Sequence, residues 1–222
     1  MTNDNIVPFN PLDKRHLGES VGQAMLRRPV FPLKDLEYFK GAGIYAIYYC
    51  GKFPAYQIIS EHNDNHDFKW PIYVGKAIPA GGRKGNLSSK NVVGTSLWSR
   101  LKEHAQSVMS VSNLSIDDFY CRYLVVDDIW IPLGETLLIA KFNPLWNVLI
   151  DGFGNHNPGK GRHQGMRPRW DILHPGREWA DKCNPRPETA KQLSEEIVNY
   201  LMNNPPIIDN IMVTPNSTEY EE

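Results

Sequence analysis

Two short runs of β-formers, each punctuated by glycine, constrain this chain more than its composition does. GIYAIYYC at 43–50 follows Gly41 and begins on Gly43, and PIYVGK at 71–76 carries Gly75 near its end. Rich in Tyr, Ile and Val and short, both read as strands. FYCRYLVV at 119–126 is a third run of the same kind. Helical periodicity separates them. Ser96 precedes LWSRLKEHAQSVM, in which Leu97, Leu101, Ala105 and Val108 recur at helical spacing. A second helix, IPLGETLLIAKF at 131–142, stops before Pro144. The order β-β-α-β-α predicts an α/β (α+β) chain built on a small mixed three-stranded sheet flanked by helices. Further helices are expected at 17–26, 33–39 and 187–202, and residues 55–60 are expected to pair back on the first strand. Residues 61–70, 77–95 and 152–176 are polar or rich in glycine and read as loops.

The 222 residues suffice to bury a core without a disulfide or a metal. No apolar run approaches the roughly 20 residues of a membrane-spanning helix. The start, MTNDNIVPFNPLDKR, lacks the basic-then-apolar pattern of a secretory signal, so a cytoplasmic protein is expected. Cys50, Cys121 and Cys183 form no CxxC pair, and the first two lie in apolar runs, where they read as small buried hydrophobes.

The formal net charge of −1 conceals segregation. Between Lys76 and His104 lie six cations against Glu103 alone, and between Gly154 and Pro187 seven cations against Asp171, Glu178 and Asp181. From Glu188 onward acidic residues predominate. Two basic stretches and an acidic tail suit a phosphate-binding face on a protein that stays in solution.

Several residues could carry chemistry. Glu135 has Ile131, Leu138 and Ile139 as its helix neighbours, so its carboxylate needs a cation from outside its own helix. A salt bridge to a distant arginine, an exposed helix edge and a functional site all satisfy that need. Arg100 and His104 stand four apart and project from one side of their helix, either into solvent or toward a phosphate. Tyr45 and Tyr73 sit centrally in the two short strands, where tyrosines usually pack with a wet hydroxyl. His62 and His66, in HNDNH, read as solvent-exposed, and His156, His163 and His174 as hydrogen-bonders to phosphate or backbone.

Taken together, GIY, then YVG, then RLKEH on a helix, then a glutamate followed by LLIAKFNPLWN resemble the GIY-YIG nuclease superfamily over roughly residues 43 to 147. YVG replaces the YIG of the family's name, and the insertions before Tyr73 and before Arg100 are longer than in minimal members. The loop GGRKGN (81–86) and the segment GRHQGMRPRWDILHPGREWA (161–180) most resemble the small type II restriction endonucleases that recognise CCGCGG.

This resemblance implies a single domain, 1–222, with a helical extension over 1–40, a nuclease core over 41–150 and a DNA-binding extension with an acidic tail over 151–222. It implies a catalytic set of Tyr45, Tyr73, Arg100, His104, Glu135 and Asn147. Glu135 would hold one Mg²⁺, with Mn²⁺ able to substitute; Arg100 would neutralise the phosphorane; Tyr45 would activate water, helped by Arg100, the metal or His104; Tyr73 would bond the phosphate or the water; Asn147 would orient Glu135 or the phosphate. No small-molecule cofactor and no membrane partner are implied. Lys76, Arg83, Lys84, Arg162, His163, Gln164, Arg167, Arg169 and Arg177 are the expected contacts to double-stranded DNA. A palindromic target would be read by a homodimer. A structure-specific or homing-type nuclease and a catalytically silent DNA-binding module are the rival expectations.

Overall fold

The strand Gly43–Tyr49, β2, is buried along its whole length because it has a strand on each side and helices over both faces. That is why it reads as an unbroken apolar run instead of an alternating one. A computed structural model of the chain describes residues 10, 12–64, 67–79, 94–155 and 165–205. Its sheet follows the order β1-β4-β2-β3, with β1 at Phe31–Pro32, β3 at Tyr73–Ala77 and β4 at Phe119–Val125. All three pairings are antiparallel. The expected α/β class is observed; the sheet gains a two-residue fourth strand and has no parallel pair.

Alternation along β2 divides its neighbours. Ile44 faces α1 (Lys14–Leu26) and α4 (Ile131–Phe142): a Cβ on Gly134 of α4 would lie 2.8 Å from Val21 and 3.0 Å from Ile44. Tyr45 faces the other way, toward α3 (Ser96–Met109). Since Ile44 pairs with Lys76 and Tyr45 with Gly75, the same division holds on β3. That strand lies at the sheet's edge, so the two faces meet along it.

The open edge is covered by α5 (Leu145–Val148). The Asn147 amide accepts from the Val74 N–H at 2.7 Å and donates to the Val74 carbonyl at 2.8 Å, while the Trp146 N–H bonds the Ile72 carbonyl at 2.9 Å. An exposed edge thus becomes a closed one.

Two expected elements are different in kind. Residues 33–39 form no helix, because the Leu33 N–H is taken by the Phe119 carbonyl and Leu33 and Leu36 are buried beside the sheet. Residues 55–60 do not pair with β2; Pro54 opens a 3-10 turn that runs into α2 (Gln57–Asn63), as a proline at a helix start favours. The last helix, α7, spans Ala190–Asn203, later than expected, since Thr189 and Gln192 form a capping box. Within the expected loop 152–176 lies a short helix, α6 (Arg169–Leu173). Among the described residues no helix is long and apolar enough to cross a membrane. Cys121 is buried and Cys50 partly so, both as free thiols.

Behind β3 an aromatic core gathers Trp146, Trp170, Phe153 and Tyr56 around His174, which is fully buried. Its hydrogen bonds run in one direction. Trp146 can only donate, and does so to the Tyr56 hydroxyl at 3.0 Å; Tyr56 therefore donates to His174 Nε2 at 2.6 Å. His174 Nδ1–H then donates to Asn113 Oδ1 at 3.0 Å, and Asn113 donates to the Leu173 carbonyl at 2.8 Å. The expectation that His174 bonds phosphate or backbone is thus corrected: both its ring nitrogens are spent on buried side chains, those of Tyr56 and Asn113. Burial, with Arg177 adding, lowers its pKa from 6.5 to about 3.

Folded His174 stays neutral where the unfolded chain would take up a proton. This contribution to stability is complete above pH 6.5 and is lost as pH falls from there toward about 3. The expected slope is up to about 1.4 kcal/mol per pH unit. Denaturant unfolding across that range measures it, and His174→Gln flattens it.

Candidate active site

Tyr45 lies directly opposite Gly75 in the β2–β3 ladder. A Cβ at position 75 would come within 2.5 Å of the ring carbon bearing the Tyr45 hydroxyl, so the ring occupies the space of the missing side chain. This lets a fully buried phenol reach α3, where its hydroxyl meets His104 Nε2 at 2.7 Å. Tyr73 shares that face: its ring centroid is 6.2 Å from Tyr45 and 5.2 Å from His104. Helical spacing then puts Arg100 one turn before His104. Arg100 bonds Tyr45, Glu103 at 3.1 Å and the Gly154 carbonyl at 2.7 Å. The Tyr45 hydroxyl thus sits between the Arg100 guanidinium, which can only donate to it, and His104 Nε2, with which it shares a hydrogen.

The electrostatics follow from burial. Desolvation pushes Tyr45 well above the ordinary phenol range, Tyr73 adds to the shift, and Arg100 opposes it. Tyr73 is raised mainly by burial, again against Arg100. For Arg100, burial works against the charge, but Tyr45, Glu103 and Tyr73 outweigh it and its pKa rises. At neutral pH the cluster therefore holds two neutral phenols beside a fixed cation.

Glu135 comes from α4 and closes the cluster around the edge of β3. Its carboxylate is close enough to act electrostatically on both tyrosines. The outside cation its sequence context demands is Lys76, with Nζ 2.5 Å from Oε2, and the Glu135 side chain is 18% exposed. Lys76, expected at DNA, is thus held by the carboxylate. No group of three or more His, Cys, Asp or Glu side chains able to hold a metal occurs among the described residues. One half-buried carboxylate with an ammonium already beside it is an oxygen-only donor set open to solvent. It fits a hydrated hard cation such as Mg²⁺, and does not fit zinc.

Five of the six expected catalytic residues therefore gather at this edge. Asn147 lies on the β3 edge beside them: its amide accepts from the Val74 N–H and donates to the Val74 carbonyl, so it positions β3 between Tyr73 and Gly75. The expected DNA contacts fare differently. Arg167 bonds the Ala180 carbonyl and Asp181; Arg169 bonds the Leu149 carbonyl and pairs with Glu196 and Glu188; Arg177 is buried on Asp171. These guanidinia are turned inward because carbonyls and carboxylates of the C-terminal segment lie within reach. Arg83, Lys84, Arg162, His163 and Gln164 lie outside the described residues, as do His66 and His156.

Two participants and the partner of a third escape a reading of motifs. The Phe153 ring stacks on His104 at 4.6 Å and 15°, the Gly154 carbonyl holds Arg100, and Lys76 holds Glu135. The only trace of the first two in the sequence is the aromatic between two glycines in GFG (152–154).

Residues 37–201, about three quarters of the chain, match the family model of the Eco29kI GIY-YIG domain. The match takes in every residue of the cluster and runs on through the turn at 152–155 into α7. A comparison with individual curated proteins finds no match.

Overpacking at residue 75 tests the geometry. Gly75→Ala is expected to lower stability by about 1–3 kcal/mol in denaturant unfolding. Gly94→Ala, whose Cβ has nothing within 4 Å, is the control and leaves stability unchanged. If both variants are as stable as the parent, Tyr45 does not lie over residue 75.

Proposed function

The chain belongs to the Eco29kI GIY-YIG domain family, a restriction-type nuclease family acting on DNA, and from this premise we propose a type II restriction endonuclease that cuts a short palindromic G·C-rich site, CCGCGG, with Mg²⁺. The observation that carries the catalytic reading is the 2.7 Å bond between the Tyr45 hydroxyl and His104 Nε2, formed beside Arg100 and within the electrostatic reach of Glu135. The target rests on the resemblance of the flanking segments, 81–86 and 161–180, to the enzymes that recognise that sequence. Cutting both strands of a palindrome calls for two chains, so the working form is a homodimer on DNA in the cytoplasm.

In this reading the catalytic residues are Tyr45, Tyr73, Arg100, His104 and Glu135. Tyr45 is too weak an acid, buried as it is, to wait as phenolate. It works instead as a relay: as a water attacks phosphorus, Tyr45 Oη takes the water's proton while its own passes to His104 Nε2. The new P–O bond forms as the bond to the 3′-oxygen breaks, and that oxygen then takes a proton from solvent. Arg100, already beside the Tyr45 oxygen, faces the negative charge that builds on the phosphate. Tyr73 donates to the phosphate or the water from the same face. Glu135 would hold the Mg²⁺, which when bound polarises the phosphate and eases departure of the 3′-oxygen. Lys76 shares the carboxylate through Oε2, and a phosphate is an anion to which its ammonium could move.

A purified sample and a sequenced supercoiled plasmid suffice as a test. With Mg²⁺ the wild type is expected to give discrete fragments ending at CCGCGG; random nicking or ends at other sequences would remove the assigned target. Glu135→Gln is expected to lose about 10²-fold or more in rate. Cutting that persists unchanged in EDTA would remove the metal. Tyr45→Phe should abolish cleavage while retaining DNA binding in a gel-shift assay, and near-normal cutting by that variant would end the relay.

A further inference from the structure

The turn Gly152–Asn155 touches the catalytic cluster on one side and a buried ion pair on the other. Toward the cluster, the Gly154 carbonyl accepts from Arg100 Nη2 at 2.7 Å, and the Phe153 ring lies flat on His104 and edge-on to Tyr73 at 5.1 Å. On the far side stands Arg177. Its Nε and Nη2 donate to the two Asp171 oxygens at 2.7 and 2.6 Å, Nη2 also donates to the Gly152 carbonyl at 2.9 Å, and Nη1 donates to the carbonyls of Phe153 and Asn155 at 3.2 and 3.3 Å. A guanidinium has five N–H donors, and here each has an acceptor. The side chains of Arg177 and Asp171 are 4% and 1% exposed, and Trp170 and Trp179 hold the guanidinium through their ring faces at 4.4 and 4.8 Å.

Such a pair is a costly way to obtain stability alone. Removing two charges from water offsets most of their attraction, and apolar residues of similar volume often stabilise as well or better. Burial indeed pushes the Asp171 carboxyl up in spite of the arginine bonded to it. What apolar residues cannot do is fix three carbonyl directions in one turn.

We propose that Arg177 and Asp171 are positioning residues for the nuclease reaction: they lock the 152–155 turn so that its Gly154 carbonyl aims Arg100 and its Phe153 ring holds His104. The proposal rests on the reading that Arg100 and His104 act at the phosphate. It also gives Arg177 a role that needs no contact with DNA.

Three variants and three readouts test it. Arg177→Lys has only three donors on a point charge and cannot span the five acceptors. Asp171→Asn keeps the shape and removes the charge. Gly154→Ala leaves the ion pair intact and sets a methyl 2.6 Å from the Tyr73 hydroxyl and 3.3 Å from Arg100 Nη2. Single-turnover cleavage, Kd for duplex DNA measured in the Tyr45→Phe background, and the NMR shifts of the His104 imidazole are recorded for each. Arg177→Lys and Gly154→Ala are expected to cut roughly 10- to 100-fold more slowly. Kd should not change, and the His104 resonances should move downfield as the ring current of Phe153 is lost. A raised Kd at unchanged cleavage rate would mean that Arg177 meets DNA. If Arg177→Lys fails to fold, Gly154→Ala decides: a normal rate there with a displaced His104 signal would reduce the pair to a structural one. Arg100→Ala separates the two levels: normal cutting by that variant defeats the catalytic reading and the clamp with it, whereas slow cutting there with normal cutting by Arg177→Lys defeats the clamp alone.

Discussion

A buried phenol meets a buried imidazole in this protein because position 75 carries no side chain. Everything else at the cluster is arranged around that contact. Tyr45 stands on the central strand and cannot shift, so its partner must come to it, and α3 brings His104 with Arg100 one turn away. The arrangement is a matter of register. Sliding β3 by one residue would set Val74 or Lys76 against the Tyr45 ring and turn Tyr73 to the opposite face. Asn147 guards against that slip: it occupies both outward backbone groups of Val74, giving an edge strand the fixity of an internal one.

The legible parts of the fold were those whose pattern is set locally. β2, β3, β4, α3 and α4 carry period and length enough to be read directly, and the order of elements follows from them. Residues 33–39 and 55–60 were misread because their conformation is decided by distant partners. The Leu33 amide is claimed by a carbonyl 86 positions on, that of Phe119. Residues 54–63 pack as a helical segment against β2 and α7, where an added strand was expected. Tertiary pairing overrode local preference in both cases.

At the site, tyrosines, arginine, histidine and glutamate could be found because they sit at defined places in elements that were themselves recognisable. The arginines of the C-terminal segment could not be sorted the same way. A list of charges does not distinguish a solvated guanidinium from one held by carbonyls and carboxylates of its own chain, and Arg167, Arg169 and Arg177 are all of the second kind. Nor could Asn147 be given its role, since an amide that pins a strand and an amide that orients a ligand look alike until the strand is placed. The basic character of 154–187 therefore describes how that segment is held together at least as much as what it attracts.

The ammonium of Lys76 beside Glu135 bears on how the protein is assembled. A half-buried carboxylate without a partner would make folding wait for a metal, as it does in small zinc-bound domains. Here the counter-charge is covalently part of the polypeptide, so the carboxylate is paired within the fold itself and calls on no solute ion for that purpose. On the proposed Mg²⁺ reading, assembly and activation are thereby separate events.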